Sequence, residues 1–95
     1  MNTFKTEGNK LICLLEERMD TISCQKLEWD LDMRITGDHK YIVFDLENTE
    51  FVSSSFLRIC IRMLNLIGKD RFSVIHVNPN VMQVFVMANL TEICY

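Results

Sequence analysis

The sequence predicts an α/β fold: a mixed, mostly parallel sheet of four to five strands packed with three to four helices, in a single domain spanning residues 1–95. Three observations carry this expectation. Short runs rich in β-branched and aromatic residues alternate with longer runs at helical spacing, which requires crossover connections between strands. Turn formers fall at the boundaries of those runs: Gly8-Asn9, Gly37, Gly68 and Asn78-Pro79-Asn80. Hydrophobic residues are 48% and charged residues 24% of the 95, an ordinary globular composition that buries one core.

The chain opens with a hairpin. Residues 3–7 read as an edge strand and 10–15 as a more buried one, with Gly8-Asn9 as the turn between them. Asp20 or Thr21 then caps a helix over 22–35, in which Leu27, Leu31 and Ile35 repeat every four residues. Gly37 ends that helix, and 36–40 is a polar turn. Tyr41-Ile-Val-Phe-Asp45 is the third strand, ending in an acid. The second helix covers 55–67 and stops at Gly68. A fourth strand over 72–77 leads to Asn78-Pro79-Asn80, where proline suits the first turn of a short helix over 81–88. Residues 91–95 form a short tail or edge strand. In α/β sheets, functional loops gather at the carboxyl ends of the strands. The loop 46–54 leaves the third strand at that end, and Asp20 follows the second strand across a short connection.

Several function classes are disfavoured at once. A net charge of -3 without a basic cluster gives no electrostatic footprint for nucleic acid. No apolar run reaches the length of a membrane span, and the N-terminus lacks a signal peptide's apolar stretch, so a cytoplasmic location is expected, with no direct membrane insertion. Cys13, Cys24, Cys60 and Cys94 show neither the close spacing of zinc ligands nor that of a redox motif, and are read as reduced thiols; no metal or cofactor is expected. His39 and His76 stand singly, and no nucleophile–base pair is apparent. Asp20 and Asp45 have structural reasons to exist, at a helix cap and a strand end. The chain is not read as an enzyme. No glycine-rich cradle accompanies the serines described next, which ranks nucleotide binding low.

Ser53-Ser54-Ser55 places hydroxyls at the start of the second helix, the positive end where a phosphate is electrostatically welcome. The plainer alternative is that these serines only cap the helix. Along the same helix, Arg58, Arg62 and Asn65 form a narrow polar stripe. Leu57, Cys60, Leu64 and Ile67 are the expected core face. Phe56, Ile59, Met63 and Leu66 form a second apolar line, read as a partly exposed docking surface. Trp29 is expected to be half-buried, and Glu28, Asp30, Asp32 and Arg34 to be solvated.

The segments Glu17-Arg-Met-Asp-Thr21, Tyr41-Ile-Val-Phe-Asp-Leu46, Glu50-Phe-Val-Ser-Ser-Ser-Phe-Leu57 and Val77-Asn-Pro-Asn-Val81 together resemble the STAS domain, the fold of bacterial anti-sigma factor antagonists. The resemblance runs from about Thr3 to Tyr95. The family reads aspartate-serine-serine-glycine where this chain has Ser53, Ser54, Ser55 and Phe56. The resemblance implies that Ser55, with Ser54 as the alternative, is the phosphorylated residue. It also implies a partner-switching role in transcription regulation. The unphosphorylated protein binds an anti-sigma factor that is also a serine kinase, phosphorylation separates the two, and a phosphatase reverses the change. ATP and its metal belong to the kinase. Ser53 replaces the motif aspartate, which removes a carboxylate from the loop. Phe56 replaces the glycine, which puts an aromatic ring where a kinase would approach. The interface expected is built from Asp20, Thr21, Asn48, Ser53, Ser54, Ser55, Phe56, Ile59 and Met63. The alternative role is a non-phosphorylated STAS-like docking subunit of a transporter or signalling complex, and the apolar flank would serve a homodimer equally well.

Overall fold

The computed structural model describes residues 1–35 and 39–95; the helix stop expected at Gly37, and most of the polar turn around it, lie outside the described residues. The opening hairpin forms from β1 (Thr3–Glu7) and β2 (Lys10–Leu14), antiparallel with Thr3 opposite Leu14 and Glu7 opposite Lys10. Gly8 turns it at φ 61°, a left-handed first position that a residue with a Cβ adopts only at a cost. A two-residue strand β3 (Arg18–Met19) leads into helix α1 (Thr21–Arg34), and β4 (Tyr41–Asp45) follows. A second short strand, β5 (Phe51–Val52), leads into α2 (Ser54–Ile67). Strand β6 (Phe72–Ile75) and helix α3 (Pro79–Met87) complete the pattern, with a 3₁₀ turn at Thr91–Ile93.

The main sheet runs β1-β2-β4-β6, with β4 parallel to both β2 and β6. It is the mixed, largely parallel sheet expected. The short strands β3 and β5 pair separately, parallel, with Arg18 opposite Phe51 and Met19 opposite Val52. That second ladder was not anticipated. At the far end, the Tyr95 N–H donates to the Val74 carbonyl at 2.9 Å, so the tail lies along β6 through a bridge at Cys94.

Element ends differ from expectation where a local hydrogen bond decides them. Of the two caps expected for α1, Asp20 is the one that forms, accepting the Ser23 N–H. Helix α2 begins at Ser54, one residue early. Helix α3 begins at Pro79 because the Asn78 side chain accepts the Val81 N–H at 2.8 Å. Strand β6 stops at Ile75 rather than 77, since His76 turns to φ 58° and cannot continue a strand.

The core lies between one face of the sheet and the helices. Leu11, Cys13, Ile42, Phe44, Phe72 and Val74 supply the sheet side, against Leu27 and Leu31 of α1 and Phe85 of α3. The Phe44 ring meets Phe72 edge-on at 5.0 Å and lies 5.8 Å from Phe56, which in turn meets Phe85 at 6.4 Å. Here the sequence reading of α2 is corrected. Phe56, Ile59 and Met63 are 0%, 1% and 0% exposed, so they form the core face with Cys60 and have no surface to offer a partner. Leu57, Leu64 and Ile67, taken as core, are only partly buried, and Leu66 is exposed. Phe56 sets the rotation: its ring fills the space between β4 and α3, which turns the helix by one position from the face assumed. Trp29 is corrected too, being 70% exposed rather than half-buried.

Candidate functional site

The β3–β5 ladder explains how distant residues converge. Each short strand feeds directly into a helix, so pairing the strands sets the starts of α1 and α2 side by side. The Ser53 N–H donates to the Met19 carbonyl at 3.0 Å, extending the ladder to the residue just before α2. The Arg18 guanidinium covers the Phe51 ring at 4.5 Å, closing the solvent side of the pair.

On the α1 side, Asp20 Oδ1 accepts the Ser23 N–H at 2.9 Å. That bond holds the Asp20 carboxyl below the ordinary range, with the nearby Arg18 charge acting in the same direction. Thr21 is exposed on the first turn. Ser23, buried, donates its hydroxyl to Glu16 Oε1 at 2.6 Å, which lowers the Glu16 pKa.

On the α2 side, the three serines separate. Ser53 occupies the capping position but makes no side-chain cap bond; its Oγ lies 3.7 Å from Cys24 Sγ of α1. Ser54 is exposed. Ser55 is half-buried and its Oγ accepts from Arg58 Nη2 at 3.3 Å, one turn along the helix. The capping explanation of the triplet therefore finds no side-chain bond to support it. Between the helices runs a shallow groove lined by Thr21, Cys24, Gln25, Glu28, Ser55 and Arg58. Farther along, Arg62 ties the helices together through Asp32 at 2.7 Å and Glu28 at 3.6 Å.

The loop carrying Asn48 is pinned rather than free. Thr49, 1% exposed, donates its hydroxyl to the Glu16 carbonyl at 2.9 Å, and its own carbonyl accepts from Asn78 Nδ2 at 3.0 Å. The Glu50 N–H bonds the Glu17 carbonyl at 2.8 Å. Asn48 stands exposed at the tip. Of the residues expected at the interface, Asp20, Thr21, Ser53, Ser54 and Ser55 thus surround the paired helix starts, and Asn48 lies on the loop leading to them. Phe56, Ile59 and Met63 do not join them.

Sequence reasoning missed the groove residues Cys24, Gln25 and Glu28 and the anchoring role of Thr49. The polar stripe on α2 had exposed Arg58, though not its bond to Ser55. Burial raises the thiol pKa of Cys24, pushes Cys13 up to about 12 and Cys94 to about 11, and takes Cys60 well up too. These thiols stay protonated at neutral pH, which leaves them weak nucleophiles.

Asp45 and His76, placed at the ends of β4 and β6, form a second polar cluster. His76 Nδ1 and Asp45 Oδ1 are 2.8 Å apart, and Asp45 Oδ1 also accepts the Glu47 N–H at 3.0 Å. The bond to Asp45 raises the His76 pKa. Ligand atoms of Asp45, Glu47 and His76 lie within 4.8 Å of one another, a mixed donor set suited to a borderline divalent cation. The Asp45–His76 bond already accounts for the pair as a tie between two parallel strand ends. Among the described residues, no helix is long and apolar enough to cross a membrane.

No protein-family model matches this sequence, and no curated protein is similar to it in sequence. Solved structures are similar in fold. The anti-sigma factor antagonist SpoIIAA in its unphosphorylated form matches all of this chain and 86% of its own, with a TM-score of 0.88 at 15% identity. The phosphorylated form of SpoIIAA, the Bacillus cell fate determinant, matches all of this chain and 89% of its own, at 0.79 and 14%. An anti-sigma-factor antagonist (STAS) domain protein from Planctomyces limnophilus covers 99% of this chain and 87% of its own, at 0.83 and 19%. With this strand order, these helix placements and those full-length superpositions, the chain has the STAS fold of the anti-sigma factor antagonists.

Proposed function

We propose that this chain is an anti-sigma factor antagonist. It docks an anti-sigma factor that is also a serine kinase on the surface around the starts of α1 and α2, and phosphorylation of Ser55 releases it. A phosphatase restores the docking state. The observation that carries this reading is the placement of Ser55: a hydroxyl in the first turn of α2, half-buried at the lip of the α1–α2 groove, with no role as a helix cap. A phosphate there meets the positive end of the helix, so the domain tolerates the added charge while the surface changes sign. The STAS fold supports the reading, since SpoIIAA has been solved in both phosphorylated and unphosphorylated forms. Burial of Phe56 supports it further, because the residue that stands for the motif glycine turns its ring into the core and leaves the serine approachable.

The test is incubation of the purified protein with ATP and a serine kinase of the anti-sigma factor class from the same source. The expected result is one added phosphate by intact mass, absent from Ser55→Ala. Stable binding without phosphate transfer would instead favour a constitutive docking subunit, the role to which Ser53 in place of the motif aspartate points. Phosphate on Ser55→Ala would move the site to Ser54.

A further inference from the structure

We propose that Arg58 reads the state of Ser55: it is the intramolecular cation that binds a Ser55 phosphate, and binding neutralises the positive charge that it presents in the docking groove. This rests on the phosphorylation reading above and adds the residue through which the switch acts. The two side chains are already in contact, Arg58 Nη2 to Ser55 Oγ at 3.3 Å, at the three-residue spacing that stacks side chains on one helix face. Arg58 is exposed, and among the described residues it makes no ion pair. Arg62, one turn on, is the contrast, being held by Asp32 and Glu28. The charged group facing Arg58 across the groove is Glu28, which Arg62 already engages; the Asp20 carboxylate at the start of α1 faces its own helix through the Ser23 N–H.

A phosphoserine brings nearly two negative charges and three acceptor oxygens, which match the planar fork of a guanidinium far better than one hydroxyl does. The existing contact then becomes a charge-assisted, bidentate pair. In the unmodified protein the same guanidinium lines the groove beside Thr21 and Gln25, where it presents positive charge to an acidic group on the partner. Phosphorylation thus changes the docking surface twice, by adding negative charge and by occupying the cation that stood there.

The test installs phosphoserine at position 55 during synthesis, so it needs no kinase. The second phosphate pKa is read by ³¹P NMR in the parent protein, in Arg58→Gln and in Arg62→Gln. A neighbouring cation favours the dianion, so Arg58→Gln is expected to raise that pKa by about half a unit or more. Arg62→Gln is expected to leave it nearly unchanged. An unchanged pKa in Arg58→Gln, or equal rises in both variants, would overturn the pairing. Failure of any kinase to modify Ser55 would overturn the phosphorylation reading while leaving the outcome of this titration intact. Unchanged circular dichroism of Arg58→Gln, expected for an exposed residue, keeps the comparison interpretable.

Discussion

Asp20 and Ser53 hold equivalent positions, each just before a helix, yet only Asp20 caps with its side chain. The Asp20 carboxyl titrates below its ordinary value when folded, because it accepts the Ser23 N–H. Its contribution to stability is therefore present above the unfolded carboxylate pKa and is lost as pH falls through the lowered, folded value. Asp20→Asn keeps the accepting oxygen and caps comparably, but does not titrate. The variant is expected to lose less of its melting temperature than the parent on acidification. Parallel curves for the two proteins would remove Asp20 from the acid response. His76 behaves in the opposite sense: its raised pKa means that the bond to Asp45 stabilises below the unfolded histidine value and fades as pH rises through the folded one. The acid at 20 was legible from sequence as a cap. The serine at 53 was not legible as a non-cap, because its partner, Cys24, lies 29 residues away in sequence.

Short elements do the positioning. The pair β3–β5 sets two helix starts together, and Asn78 joins α3 to the loop beside them by capping with Oδ1 and donating Nδ2 to the Thr49 carbonyl. Asn78→Ala removes both bonds and is expected to destabilise the fold by about 1–2 kcal/mol, measured by urea unfolding. A change within error would mean that solvent replaces both partners at no cost. The long elements were readable because period and punctuation agree: Leu27 and Leu31 mark the buried side of α1, and Gly68, at φ 84°, marks the end of α2. The two-residue strands carry too little pattern to be read alone. Their only trace is an exposed residue followed by a buried one in each, Arg18-Met19 and Phe51-Val52. The rotation of α2 was misread for a related reason. Its apolar residues cover more arc than one face needs, and only the aromatic stack around Phe44 selects which of them point inward.

At the scale of the whole molecule, one aromatic cluster connects the fold to the docking surface. Phe56 packs against Phe44 and Phe85 from the residue next to Ser55, so the serine's position is set by the core and not by a flexible loop. Phe56→Ala is expected to cost about 3–5 kcal/mol in chemical denaturation, and Phe56→Leu clearly less. A cost below about 1 kcal/mol for Phe56→Ala would return the ring to the surface. An amide chemical-shift map of this protein, titrated with a kinase-like anti-sigma factor from the same source, locates the docking surface residue by residue. Thr21, Gln25, Asn48, Ser54, Ser55 and Arg58 are expected to shift together, and the same titration with phosphoserine at 55 to leave them unmoved. Shifts confined instead to the exposed Trp29 and Met33 side of α1, or unaffected by the phosphate, would contradict it.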